Sequence, residues 1–231
     1  MTSPVRESAA TTDFNSDTTA HVCNMPAGVV AGNLLIALFG NDGASATVSE
    51  NGGHWTKFKD LQDAGPEGRL TAWYRVADGT ADDIPDFVTS VAESGGAILY
   101  RISGAENPAT QPPEASAGVG ANSAAPDPDS LSPSGGSKDY LFLAAACIDS
   151  DPILSGPSNM TNFLNAGRTV APQQVGLVGV GAAELAVTAA SFNPNAFAAD
   201  SADNWAAFTI AVHPAAASDD DAAARRRQED Y

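Results

Sequence analysis

Two short apolar runs between Arg69 and Ala105 constrain the fold of this chain more than any other feature. They are Leu70–Val76 (LTAWYRV) and Ala97–Ile102 (AILYRI), and each carries a Tyr-Arg pair. Alternation over six or seven residues, with aromatic and branched members, is typical of β-strands, because successive side chains of an extended chain point to opposite sides. The runs therefore predict two strands whose tyrosines face inward and whose arginines face outward.

Two further runs are apolar at nearly every position, Asn33–Phe39 (NLLIALF) and Tyr140–Ile148 (YLFLAAACI). Such runs are expected of central strands that are covered on both faces. Weaker strand patterns recur along the chain, and no stretch has a convincing amphipathic helical pattern, so the sequence predicts an all-β antiparallel sandwich, jelly-roll-like, of about eight to ten strands. The other strands are expected at Thr19–Cys23, Ala46–Ser49, Trp55–Leu61, Phe87–Val91, Val175–Val187 and Trp205–His213.

The 231 residues suit one large β-domain or two small ones, and they are enough for a self-sufficient core. Residues 1–18 are polar and predict a flexible leader, and residues 19–214 predict the sandwich. Within the sandwich, residues 106–137 contain six prolines, which favours a long loop because proline interrupts both helices and sheet ladders. Residues 215–231 carry opposed blocks of charge and predict a C-terminal arm.

Charge limits the partners of the chain. Its formal net charge is −17, from 11 basic and 28 acidic residues, which repels nucleic acid and anionic membranes and suits a salty medium. No run of about 18 apolar residues is present, so no membrane span is expected, and the N-terminus lacks the apolar core of a signal peptide. Cys23 and Cys147 are expected as small buried side chains, with a single disulfide as the alternative.

No residue pattern indicates catalysis, a cofactor or a metal site. The histidines His21, His54 and His213 lack metal-binding spacings and predict surface or strand-end imidazoles. The glycine runs 118–121 and 176–183 lack the lysine and the helix of a phosphate loop, and no GxSxG motif occurs. We therefore predict that the chain is not an enzyme. Acidic pairs could supply oxygen ligands to calcium, although chance proximity accounts better for them in so acidic a chain; they are Asp82/Asp83, Asp127/Asp129 and Asp149/Asp151.

Aromatic and basic residues supply the remaining binding candidates. The three tryptophans could form a platform for stacking sugars, and Trp73 is the strongest candidate because it points away from the face of Tyr74; the alternative is core packing. In the C-terminal arm, Arg225–Arg227 are flanked by acids. Those acids disfavour nucleic-acid binding and favour a salt-bridged contact with an acidic neighbouring subunit. The predicted partner-binding residues are Arg225, Arg226, Arg227 and Tyr231.

A series of segments resembles one known family. The segments are PAGVVAGNLLIAL, GHWTKF, LTAWYRVADGT, GGAILYRISGA, LSPSGGSKDYLFLAAA and NWAAFTIAVHP, in that order. Together they are similar to a recurring domain of tailed-phage and prophage virion proteins, over residues 12–214. The chain departs from the family pattern at Asn33, where Asp is usual, which should matter only for a turn or cap. Its charged C-terminal arm is not a family feature.

The resemblance implies a jelly-roll-like sandwich displayed on a virion and no catalysis. The expected function is that of a structural virion protein, a capsid decoration, cement or turret subunit, made in the host cytoplasm and located on the particle surface. Its expected partners are further copies of itself, as a homotrimer, and the major capsid protein or other virion subunits. The alternative is a receptor- or carbohydrate-binding module of a tail fibre, whose partner would be a host-surface glycan.

Overall fold

The computed structural model describes residues 3–43, 45–168 and 176–216, and its regular structure is almost entirely β. No helix in these ranges is long and apolar enough to cross a membrane. A 3-10 turn spans Ala81–Asp83. The strands are β1 (Val5–Val22), β2 (Leu34–Asp42), β3 (Val48–Glu50), β4 (Thr56–Gln62), β5 (Gly68–Val76), β6 (Asp86–Ser103), β7 (Glu114–Ala115), β8 (Val119–Ser123), β9 (Lys138–Asp149), β10 (Ile153–Ser155), β11 (Thr161–Gly167), β12 (Val178–Ala189), β13 (Ala198–Ala199) and β14 (Asp203–Val212).

Two antiparallel sheets pack face to face, which confirms the all-β sandwich. Sheet A has the order β1-β6-β2-β5-β4, with β3 paired to β6. Sheet B has the order β11-β12-β9-β14-β7, with β8 paired to β14, and β10 pairs with β13 beside it. Sheet A is built from residues 5–103 and sheet B from residues 114–212, so each half of the described chain supplies one layer.

The core between the sheets follows the period-2 alternation of the strands. Leu34, Ile36 and Leu38 of β2 face sheet B, and every second residue of β9 faces back toward them. Burial of this set removes a large apolar area from water, which is the main source of stability in such a sandwich. Further members of the inter-sheet core are Leu70, Ile98, Tyr100, Leu141, Leu143, Cys147, Val178, Val180, Phe208 and Ile210.

Both outer faces of the sandwich are covered as well. On sheet A, Phe39 stacks on Phe87 with ring centroids 5.0 Å apart. On sheet B, Phe142 packs at 5.1 Å from Phe192, in a cluster that includes Leu131 of the Pro-rich segment. Because each central strand is buried on both faces, it needs apolar residues at nearly every position, as the runs in β2 and β9 predicted.

The polar N-terminus is part of sheet A, so the predicted flexible leader at residues 1–18 is wrong from Val5 onward. β1 pairs with β6 from Val5 opposite Ser103 to Val22 opposite Asp86, with irregular register near Phe14. As an edge strand it keeps many half-exposed positions, where Thr and Ser are tolerated and hydrophobic alternation is lost.

β6 is a single strand of 18 residues, where the sequence predicted two shorter ones. Its second part, 95–102, lies beside β2 in sheet A. Its first part pairs with the end of β1 and with β3, and brings Phe87 within 5.4 Å of the Trp73 ring on the outer face of the sheet. β6 therefore contributes both to the sheet and to the layer that covers it.

The Pro-rich segment 106–137 is irregular over most of its length, but it contains β7 and β8, which pair with β14. It also fastens sheet B to the edge of sheet A, since Lys59 of β4 donates a hydrogen bond to the carbonyl of Ala117. β4 is an edge strand of sheet A, where its lysines disfavour pairing with another chain.

Candidate functional site

Four carboxylates meet at one end of the sandwich, which we call the acidic end: Asp42, Glu67, Asp149 and Asp203. Asp42 ends β2 and Glu67 lies in the turn before β5, whereas Asp149 ends β9 and Asp203 begins β14. One carboxylate oxygen each of Glu67, Asp149 and Asp203 lies within 4.8 Å of the others. Because the two sheets place these strand ends side by side, residues far apart in sequence converge at one point.

Asp42 and Asp149 are hydrogen bonded to each other through their side chains. Burial, and then the contacts with Asp42 and with Asp203, raise the pKa of Asp149 to about 8. Burial also raises the pKa of Asp42, which its hydrogen bond to Asp149 opposes. The hydrogen bond and these directions describe a pair of carboxyls that share one proton.

More negative charge surrounds this pair. Burial raises the pKa of Glu93 to about 7, with further contributions from Asp42 and Asp17. Asp151 is fully buried and accepts a hydrogen bond from Ser201. Burial raises its pKa, and so do the nearby charges of Asp203 and Asp200. The acidic end therefore concentrates like charge, and protonation relieves part of the repulsion.

Two oxygens of the acidic end accept hydrogen bonds from Asn204. The Asn204 side chain donates to Glu67 Oε2 at 2.8 Å, and its backbone amide donates to Asp203 Oδ1 at 2.8 Å. Carboxylates of this kind can hold either a shared proton or a hard cation such as Ca²⁺. The contacts within the described residues account for the first of these, and we assign no metal to the site.

The acidic pairs singled out in the sequence have other roles. Asp83 binds Arg75, and Asp129 accepts hydrogen bonds from the Ser116 hydroxyl and the Gly118 amide, so both are structural. Asp149 is one of the four carboxylates of the acidic end, and Asp151 lies near enough to Asp203 for that charge to raise its pKa. Sequence reasoning missed Asp42, Glu67 and Asp203, because strand register alone brings these scattered residues together.

The opposite end of the sandwich, where β2 begins, is more apolar, and we call it the apolar end. Val30, Val76 and Ile84 expose 57%, 40% and 41% of their surface there. Two hollows of about 170 and 160 Å³ open beside them. The first is lined by Met25, Val29, Gly79, Thr80, Asp83 and Ile84, and the second by Gly32, Leu34, Val76, Ala105, Glu106, Asn107 and Pro108.

Arg75, near the apolar end, lies on the outer face of sheet A as predicted, but it is buried there rather than exposed to solvent. Its Nε donates to Asp83 Oδ1 at 2.7 Å and its Nη2 donates to Asp78 Oδ2 at 2.8 Å, while Nη1 reaches the carbonyl of His54. Although burial opposes the charge, these acids raise its pKa. By contrast, Arg101 stays half-exposed and donates to backbone carbonyls. The difference arises because the 3-10 turn and the loop before it cover Arg75.

The three tryptophans are buried, so the prediction of a sugar-stacking platform at Trp73 is wrong. Trp55, Trp73 and Trp205 expose only 5%, 4% and 3% of their surface. The indole nitrogen of Trp73 donates to Thr71 Oγ1 at 2.9 Å inside the covered outer face of sheet A. Trp73 does point away from the inter-sheet core as predicted, but Phe87 of β6 packs against its ring and Lys57 Nζ lies 5.2 Å from the ring centroid.

Histidines and cysteines are mainly structural. His21 and His213 are buried at strand ends, so the surface interpretation is wrong for both. His213 Nε2 lies 2.7 Å from Glu114 Oε1, which also accepts a hydrogen bond from Ser134, and this contact holds the Pro-rich segment against β14. Burial lowers the pKa of His213, although Glu114 opposes that effect. Both cysteines are buried and free, as predicted.

The predicted partner-binding residues Arg225, Arg226, Arg227 and Tyr231 lie outside the described residues, so their role stays a prediction. Asn33, which departs from the family pattern, accepts a hydrogen bond from the Val30 amide through Oδ1, consistent with a role in a turn. Comparisons with family models, curated proteins and solved structures find no match to this chain.

Proposed function

We propose that this chain is a structural virion protein of a tailed virus, a capsid decoration, cement or turret subunit on the particle surface. The observation that carries the proposal is the position of the segments that resemble phage virion domains. Five of the six segments fall on central strands of the two sheets, and GHWTKF falls on the edge strand β4, so the resemblance extends over both sheets. The central strands concerned are β2, β5, β6, β9 and β14.

The construction of the sandwich supports the same proposal. The described chain covers both outer faces of the sandwich with its own segments, which suits a module displayed in solvent. Its formal charge of −17 favours solubility and disfavours nonspecific association. In this proposal the chain is made in the host cytoplasm, and its partners are other copies of itself and the major capsid protein or other virion subunits.

The structure does not support the alternative of a glycan-binding tail-fibre module. It depended on an exposed indole, and all three tryptophans pack inside the described structure. Stacking on a sugar would require an accessible aromatic face. We therefore advance no second function.

The location of the chain on purified particles tests the proposal. A tagged copy is expressed during infection or prophage induction, particles are purified on a density gradient, and copies per particle are counted by quantitative mass spectrometry against the major capsid protein. We expect many copies spread over the head in immunogold images. A few copies at the tail tip would contradict the decoration function, and a chain missing from the particles would contradict the whole proposal.

Removal of residues 217–231 is a second test of the same function. If the arm contacts neighbouring subunits, its deletion should lower incorporation into particles while the circular dichroism and melting temperature of the purified domain stay unchanged. The full-length chain carrying the same tag is the matched control. Unfolding of the truncated chain would show instead that the arm belongs to the domain itself.

A further inference from the structure

The two hollows of the apolar end are of side-chain size. At about 160 and 170 Å³ each is smaller than the roughly 300–1,000 Å³ of typical small-molecule pockets. They adjoin the same short segment, since Val29 lines one and Gly32 lines the other. The exposed Val30 lies between these two residues in the chain. Such a surface suits insertion of side chains from another polypeptide segment better than capture of a free ligand.

The described chain ends beside the second hollow. Pro214 pairs with Ala105, and the Ala215 amide donates to the Gly104 carbonyl at 2.9 Å. The Ala216 amide then donates to Glu106 Oε2 at 2.9 Å. Because Ala105 and Glu106 line this hollow, the C-terminal segment begins at the edge of the apolar end.

The C-terminal segment, residues 217–231, is long enough to reach another molecule. At about 3.3–3.6 Å per extended residue, its fifteen residues span at most roughly 50 Å. It contains apolar and aromatic groups that could enter side-chain-sized hollows, Ala222–Ala224 and the terminal Tyr231. It also contains three consecutive cations, Arg225–Arg227.

Charge favours an occupant from a second copy over the chain's own segment. The apolar end has an acidic rim that includes Asp78, Asp82 and Glu106. The side chains of Asp78 and Asp82 are both 53% exposed, although Asp78 also pairs with Arg75 and Asp82 lies 3.5 Å from His54. In its own chain, the Asp219–Asp221 triplet follows Ala216 within five residues and would meet this rim first. Like charges repel there, whereas Arg225–Arg227 complement the rim of a neighbouring copy.

We propose that the apolar end binds the C-terminal segment of a second copy of this chain. Arg225–Arg227 pair with the acidic rim, and Tyr231 enters the hollow beside Val76. Because each copy offers one segment and one hollow beside Val76, the contact is heterologous and can close into a ring such as a trimer. This inference rests on the proposed function, in which many copies assemble, and it names the surface that joins them.

Association in solution tests the inference. Val76 and Val119 expose similar fractions, 40% and 38%, but Val119 lies in β8, away from the apolar end. We expect Val76→Glu to weaken self-association by at least about tenfold in sedimentation experiments, since it buries a charge against the arriving segment. Val119→Glu is the matched control and should leave association unchanged. A triple change of Arg225–Arg227 to Glu should resemble Val76→Glu.

A disulfide experiment identifies the occupant. A Val76→Cys chain is mixed with a Tyr231→Cys chain under mild oxidation, and the linked peptides are read by mass spectrometry; the native cysteines are buried and do not compete. We expect a disulfide between the two different chains, and none with Val119→Cys. A chain that carries both Val76→Cys and Tyr231→Cys tests for a link within one chain. The inference is overturned if only this double variant forms a disulfide. It is also overturned if the protein stays monomeric, or if Val76→Glu leaves its association unchanged. None of these readouts depends on where the chain lies on a virion.

Discussion

The two ends of the sandwich handle negative charge in different ways. At the acidic end, Asp42 and Asp149 approach each other and share a proton, with Glu67 and Asp203 close by. Near the apolar end, buried Asp83 is instead compensated by Arg75 at 2.7 Å. The first arrangement costs stability whenever the proton is lost, whereas the second is stable as long as both partners remain. The comparison separates carboxylates that limit stability from carboxylates that are required for it.

Loss of the Arg75 cation near the apolar end should lower the free energy of unfolding more than any other change proposed here. Arg75→Met leaves Asp83, whose side chain is only 4% exposed, without its main partner. Breaking a buried pair by removing one partner typically costs about 3–5 kcal/mol, and we expect a loss of that size in urea denaturation at pH 7. Arg101→Met is the control and should cost under about 1 kcal/mol, because Arg101 is more exposed and its Glu7 pair is 3.7 Å apart. Equal losses would contradict the distinction.

Removal of a charge from the acidic end should raise the free energy of unfolding, in contrast to the loss expected for Arg75→Met. The pKa of Asp149 is raised from 3.8 to about 8 in the folded state, so the folded state binds more protons than the unfolded state between these values. The wild-type free energy of unfolding should therefore fall as pH rises from about 4 to 8. Asp149→Asn keeps a hydrogen-bond donor toward Asp42 but cannot ionise. It should be more stable than wild type by about 1–2 kcal/mol at pH 9, a typical size for relieving like charge.

The matched control for Asp149→Asn is Asp127→Asn, at an exposed position of the Pro-rich segment. It should change stability by less than about 0.5 kcal/mol at every pH. The advantage of Asp149→Asn should shrink steadily as pH falls toward 4. An advantage that did not vary with pH would show that proton sharing is not the cause.

Added salt should also affect the stability contributions of the two ends differently, but by a smaller amount. Raising NaCl from low concentration to about 1 M shortens the Debye length to about 3 Å and screens repulsion between partly exposed carboxylates. We expect wild type to gain up to about 1 kcal/mol at pH 9, and Asp149→Asn to gain less. The cost of Arg75→Met should hardly change, because the Arg75–Asp83 pair is buried. Thermal melts over a salt series measure both effects.

The sequence predicted the parts of the fold that depend on local patterns. Runs apolar at every position identified β2 and β9, because both of their faces are covered. The polar part of β1 was missed because an edge strand does not need alternation. β11 was missed for a related reason: Thr161–Gly167 is a half-exposed edge with an irregular register, and it has no strong apolar pattern.

The acidic end could not be predicted from the sequence. Asp42 and Asp149 belong to different sheets, and nothing local distinguishes them from the other acids of a chain with 28. Likewise, the burial of Trp73 depends on the outer cluster of sheet A, and the burial of Arg75 depends on the 3-10 turn and the loop before it. Strand periodicity reveals neither of these coverings. Alternation gives the face on which a side chain lies, but whether that face is covered is decided by distant segments.

The division of the chain into two halves, one for each sheet, has a consequence for synthesis. On the ribosome, every strand of sheet A has been made once Ser103 is complete, yet its inner face must wait for β9, β12 and β14 to be covered. During that interval Leu34, Ile36 and Leu38 remain available to other nascent chains. A half-made sandwich is therefore the aggregation-prone species of this protein, and slow translation between residues 103 and 212 should lower its soluble yield.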